Sequence, residues 1–167
     1  MLAAIIMNCI ICDEPVLKSS IEHIIPESLG NTTYFLEKGV LCSICNNRFS
    51  EFEDKAITRS FLSMIRMQNG IKTKKGKPST IKIGNFKAQG HEEFKKNIIT
   101  FNNYEEKHNT SRNLKAGSYD ITINDFDNTE MSASKMLLKI GFEAIYKSQK
   151  DIFKKYNFIL YRKFCKA

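Results

Sequence analysis

The apolar positions of the chain change their spacing along its length. In the first part, around the Pro- and Gly-bearing stretch from Ser19 to Gly39, short apolar runs predict short strands and a loop. From Asn46 onward Phe49, Phe52, Ala56, Ile57, Phe61, Met64 and Ile65 recur near helical spacing, which predicts a helix over 46–67 that ends before Asn69-Gly70. Residues 71–79, rich in Lys and punctuated by Gly76 and Pro78, read as a loop. Beyond them, 80–83, 97–101 and 119–123 are short, rich in Ile, Thr and aromatics, and partly alternate, as half-buried antiparallel strands do. Over 131–150 the set Leu137, Leu138, Phe142, Ile145 and Tyr146 predicts a helix. Lys135, Lys139, Glu143 and Lys147 alternate in sign on another of its faces. The stretch 156–164 fits a strand or a short helix, and no repeat or low-complexity tail is present. The class expected is α+β.

At 167 residues the chain has room for one domain, or for a compact motif with a second small subdomain. No stretch approaches the ~20 apolar residues of a membrane span. The apolar Met1–Met7 lacks a basic leader and is short for a signal peptide, so a cytoplasmic protein is expected. A formal charge of +8 favours a polyanionic partner, although charge alone is weak grounds for nucleic acid.

The five cysteines change the picture. In a reducing compartment they do not form a disulfide framework, and Cys9/Cys12 and Cys42/Cys45 are two Cys-x-x-Cys pairs, the four soft thiolates that structural zinc prefers. A redox dithiol needs only one pair. The 29 residues between the pairs exceed the ~15–20 of a simple zinc ribbon, so something is inserted whose ends the metal holds together. Cys165 reads as a small buried apolar residue. Within the insert, four thiolates leave His23, beside Glu22, free of any structural ligand duty.

The run EHIIPESLGN at 22–31, followed by LCSICNNRF at 41–49, resembles the zinc-containing branch of the HNH endonucleases over roughly residues 9–55. The resemblance implies a zinc-stapled ββα-metal (His-Me finger) nuclease motif, with a nuclease domain over 1–70 and an accessory α+β region over 71–167 packed on it. It also implies that His23 activates water, and that Glu22 with Asn46 or Asn47 holds a catalytic magnesium or manganese ion, Asn47 being slightly favoured. Imidazole titrates near neutrality and can act as a general base, while hard oxygen ligands suit such an ion. Arg48 stands where the family often carries a phosphate-binding cation. The sequence departs from the family pattern in three places. Glu22 replaces the commoner Asp, Asn46 stands at the usual last His, and Lys38-Gly39 occupies the usual place of a central Asn, for which Asn31 is the substitute available to brace the loop.

Lys72, Lys74, Lys75 and Lys77 form the densest positive run, either a solvated loop or a phosphate-contacting arm. His91 and His108 read as surface residues, and Glu105-Glu106 and Asp125/Asp127 as turn or surface carboxylates. The expected partner is nucleic acid, double-stranded DNA by resemblance, with a role in bacterial or phage restriction or antiviral defence. An activating protein partner and the oligomeric state stay open. The rival reading is a non-catalytic zinc-ribbon module that binds nucleic acid or protein.

Overall fold

A computed structural model of the chain describes residues 7–83, 86–102, 110–113, 118–121 and 131–166. Among these the element order is β1 (Glu22–His23), a 3-10 turn (Glu27–Leu29), β2 (Phe35–Leu36), α1 (Ser43–Arg59), α2 (Phe61–Gln68), β3 (Thr80–Ile83), β4 (Phe86–Gly90), β5 (Ile99–Asn102), β6 (Thr110–Asn113), β7 (Ser118–Ile121), α3 (Ser132–Ser148), α4 (Lys150–Lys155) and α5 (Ile159–Lys166). The α+β class expected from the pattern is the one adopted. Strands pair antiparallel as β1-β2, β3-β4-β5 and β6-β7. No helix is long and apolar enough to cross a membrane among the described residues.

The chain divides into two compact units, Met1–Ala56 with Met131–Ala167, and Ile57–Glu130. This division does not follow a boundary at 70/71, because the C-terminal helices return to the first unit. There Ile11, Ile24, Leu36, Phe49, Ala56, Met136 and Phe142 are among the buried residues. An aromatic cluster holds α3, α4 and α5 together: Phe142 stacks on Tyr161 at 4.2 Å and meets Phe153 edge-on at 4.9 Å, and Phe153 stacks on Phe158 at 4.9 Å. Each such pair is worth about 0.5–1.5 kcal/mol beyond burial. The stretch 156–164, which fits a strand or a short helix by pattern, is helical from Ile159 onward, as α5.

The helix expected over 46–67 is two helices. Ser60 adopts an extended backbone (φ −104°, ψ 177°) and its side chain accepts from the Leu62 amide at 3.2 Å, so it starts α2 as an N-cap. In the second unit α2 packs Met67 on Ile81 and Ala88 of the sheet, with Met64, Ile99 and Phe101 around them. Gly70 follows α2 at φ +64°, where a Cβ would collide with the Phe94 backbone, so glycine is required there. β4 and β6 are strands that the apolar pattern did not single out. In β4, Phe86-Lys-Ala-Gln-Gly90 carries few β-formers and is recruited by pairing on both sides.

The expected faces of α3 are corrected. Leu137, Leu138 and Ile145 are exposed at 50%, 48% and 36%, whereas Lys139 and Glu143 are wholly buried together with Met136 and Phe142. A Lys-Glu pair at i,i+4, usually a solvated feature, here faces inward because carboxylates from other elements converge on the lysine.

Candidate functional site

The site is built on the β1-β2 ribbon, the loop between its strands, and the start of α1. Cys9 and Cys12 lie on a tight turn closed by Cys9 N–H to the Glu14 carbonyl (2.8 Å) and Asp13 N–H to the Cys9 carbonyl (2.9 Å). Cys42 precedes α1, and Cys45 lies in its first turn. The four Sγ atoms fall within 4.8 Å of one another, with Cys12 and Cys42 at 3.7 Å. A tetrahedron with ~2.3 Å zinc–sulfur bonds has an edge of about 3.8 Å, so the set fits the ion. The backbone assists: the Cys42 and Cys45 amides each donate to a thiol sulfur, Cys9 Sγ and Cys42 Sγ, at 3.4 Å.

Close packing of the sulfurs drives Cys9 and Cys45 apart in their tendency to ionise. The Cys45 hydrogen bond holds the Cys9 thiol down at about 4, while the same bond and burial push Cys45 far up, and burial raises Cys12. A divalent cation held by the four sulfurs would favour the thiolate form of its ligands. Arg162 of α5 reinforces the turn, its Nε donating to the Ile10 carbonyl at 3.1 Å.

The insert is braced by Asn31. Its Nδ2 donates to the carbonyls of Ile25 and Tyr34, both at 2.7 Å, and its Oδ1 accepts from the amides of Thr33 (3.2 Å) and Tyr34 (2.8 Å). One side chain thus closes the loop from the end of β1 to the start of β2, the bracing expected of it. The ribbon pairs Glu22 with Leu36 and His23 with Phe35. The His23 imidazole is partly exposed and meets the Phe35 ring edge-on at 6.3 Å.

Glu22 points the other way, into the protein. It is 7% exposed and accepts a hydrogen bond from Lys139 Nζ of α3. Lys139 also lies 2.7 Å from Glu53 of α1 and 3.4 Å from Glu143, and it donates to the His23 carbonyl at 3.4 Å. Burial alone would lower its pKa, but Glu143, Glu53 and Glu22 outweigh burial and hold the ammonium charged, with its pKa raised. Burial raises Glu143 well above the carboxylate range, only partly offset by Lys139.

Asn46 is partly buried and its Nδ2 donates to Ser20 Oγ at 2.9 Å, so its amide faces the segment that enters β1. Asn47 and Arg48 are exposed on α1. The hard oxygens of Glu22 and of an asparagine are the donor type that Mg²⁺ or Mn²⁺ takes, usually from one or two protein ligands with water and phosphate completing the shell. The Glu22 carboxylate, secured at Oε1 by Lys139, is held as ligating carboxylates commonly are. Among the described residues the four cysteines are the group of three or more His, Cys, Asp or Glu side chains close enough to share an ion.

In the second unit, Lys72, Lys74, Lys75 and Lys77 are exposed on a turn closed by Thr73 N–H to the Lys77 carbonyl (2.8 Å). Lys72 lies over the Phe94 ring at 4.4 Å. His91 is partly exposed and its Nδ1 accepts from the Glu93 amide at 3.1 Å. His108, Glu105-Glu106, Asp125 and Asp127 lie outside the described residues, as does the Cys165 side chain.

Sequence reasoning missed Lys139, Glu53 and Ser20. The signal for Lys139 was available: Ser132, Met136, Lys139 and Glu143 fall on one helical stripe, so a lysine shares its face with a core methionine.

Residues 9–62, about a third of the chain, match the family model described as HNH endonuclease. Neither the comparison with curated proteins nor that with solved structures gives a match. The matched segment opens at the first zinc-type cysteine and takes in β1, the Asn31 loop, β2 and α1.

Proposed function

Taking residues 9–62 as an HNH endonuclease segment, we propose that the protein is a metal-dependent endonuclease that hydrolyses phosphodiester bonds, with double-stranded DNA as substrate and a role in restriction or antiviral defence. The observation that carries this reading is the position of His23. Its partly exposed imidazole stands at the end of β1, at the head of a loop fixed by Asn31, inside the matched segment. In that place His23 takes a proton from the attacking water as general base, a role worth on the order of 10²–10⁴ in rate.

Glu22 would hold the divalent ion together with an asparagine of α1. Asn46 is favoured over Asn47, because its amide is turned toward Ser20, two residues before Glu22, while Asn47 is exposed. When bound, Mg²⁺ or Mn²⁺ stabilises the charge developing on the phosphate and assists the leaving oxygen. Arg48, exposed on the next position of α1, can clamp a phosphate through two N–H groups, and the lysine turn at 72–77 adds affinity without sequence readout. The four cysteines hold structural zinc and so keep the ends of the insert together.

One observation favours the rival reading, a non-catalytic zinc module: the Glu22 carboxylate is buried against Lys139 and is in structural use. A plasmid nicking assay separates the two, run with zinc-loaded wild type and His23→Ala, with and without Mg²⁺ or Mn²⁺. The nuclease reading expects metal-dependent nicking that His23→Ala loses while keeping zinc and DNA affinity. Equal cutting by both proteins, or none by wild type, returns the finger to the binding-module reading.

A further inference from the structure

The β1-β2 ribbon that carries Glu22 and His23 is two residues long on each strand, and a ribbon of that size does not hold its own orientation in water. Helix α3, which lies outside the matched segment, grips both strands. Lys139 donates to the Glu22 carboxylate and to the His23 carbonyl of β1. Lys147, two turns on, donates to the Phe35 carbonyl of β2 at 2.6 Å and lies 5.4 Å from the Phe35 ring centroid. Phe35 is the residue paired with His23.

We propose that Lys139 is the positioning residue of the nuclease site: its buried ammonium sets the Glu22 carboxylate and the β1 backbone at His23 in the geometry that binds the catalytic ion. This rests on the nuclease reading above. Three features carry it. The amine reaches one residue by its side chain and the next by its backbone, which fixes the rotation of the strand as well as its distance. Glu53 at 2.7 Å ties the same amine to α1, the helix that carries Asn46, so both elements expected to supply ion ligands meet on one nitrogen. Stability also gives little reason to keep the charge, since well-packed apolar residues in place of a buried ion pair are often as stable or more so. A directional contact to Glu22 is what an apolar side chain could not provide.

The test uses the full, zinc-loaded chain and Lys139→Met, which keeps length and apolar bulk without the amine. Mn²⁺ affinity is read from the electron paramagnetic resonance signal of the free ion, and kcat and KM from plasmid nicking. The expected result is retained zinc and an intact thermal transition, with Mn²⁺ affinity about 10–100-fold weaker, kcat lowered and KM for DNA unchanged, as loss of an outer-shell partner does. Unchanged Mn²⁺ affinity and kcat overturn the proposal while leaving the nuclease reading in place. Tighter Mn²⁺ binding also overturns it, since the ammonium would then be occupying the cation's place. A wild type that neither binds Mn²⁺ nor nicks overturns the nuclease reading and this inference with it. Should Lys139→Met lose its fold, Glu53→Gln takes its place. It loosens the lysine without touching Glu22 and is expected to weaken Mn²⁺ binding several-fold, and an unchanged affinity overturns the proposal.

Discussion

Replacing Asn31 by Ala removes the side chain that closes the loop between β1 and β2, and its cost can be worked from the four hydrogen bonds it makes. The bond with the Thr33 amide is exposed and adds little. The three others, to the carbonyls of Ile25 and Tyr34 and from the Tyr34 amide, are partly buried, and at about 1 kcal/mol each they sum to about 3 kcal/mol. The Tyr34 carbonyl keeps the donation of the Ile24 amide at 3.2 Å, so its loss is the mildest. For a chain of this size ~3 kcal/mol lowers the thermal midpoint by about 6–12 °C, which circular dichroism of the zinc-loaded protein resolves. Asn31→Asp is the sharper variant. It keeps both acceptor bonds but turns a charged oxygen toward two carbonyls, so it should cost at least as much as Ala. A midpoint within about 2 °C of wild type for either variant refutes the bracing role.

Three further outcomes are expected. The purified protein should hold one zinc per chain, and Cys42→Ser should lose it and unfold readily, since closing the 30-residue span between Cys12 and Cys42 is worth on the order of 3–4 kcal/mol; metal analysis with denaturant titration checks this. Replacing Lys72, Lys74, Lys75 and Lys77 by Ala should flatten the salt dependence of DNA binding by about one unit of slope for each phosphate no longer neutralised, and an unchanged slope leaves the turn merely solvated. Burial raises the Glu143 carboxyl above the ordinary carboxylate range, so its contribution to stability is present in acid and is lost as pH rises toward its elevated folded value. Glu143→Gln should therefore gain on wild type in denaturant melts as pH rises above the ordinary carboxylate range, and a difference that does not change with pH would show that burial leaves the carboxyl unshifted.

Much of the finger was legible because its constraints are local. Two Cys-x-x-Cys pairs specify a metal site by residue type and spacing, and the turn and helix start that present them follow from the same few residues. Asn31 could be nominated as a brace because Lys38-Gly39 left the usual position empty. The break at Ser60 was also available: a serine just before a new apolar stripe is a helix N-cap, and the continuous helical spacing through Phe61 masked it. β4 was not available in this way, since its sequence is a poor strand former and its neighbours on both edges decide its state.

The faces of α3 show a different kind of limit. Periodicity reports which positions share a side of a helix, and assigning that side to water or to the core rests on the assumption that charge is solvated. Lys139 and Glu143 break the assumption together: the lysine is tolerated inside because Glu143 and two distant carboxylates, Glu22 and Glu53, surround its ammonium, and Glu143 because Lys139 lies beside it. No single position announces this, because the compensation comes from residues 86 and 117 places away along the chain. The pattern carries a trace of it all the same: Met136 and Phe142 lie on the charged side, while Leu137, Leu138 and Ile145 stand exposed. A helix whose apolar and charged stripes are each mixed in this way points to a buried ionic contact, and in this chain that contact falls on the strand carrying Glu22 and His23.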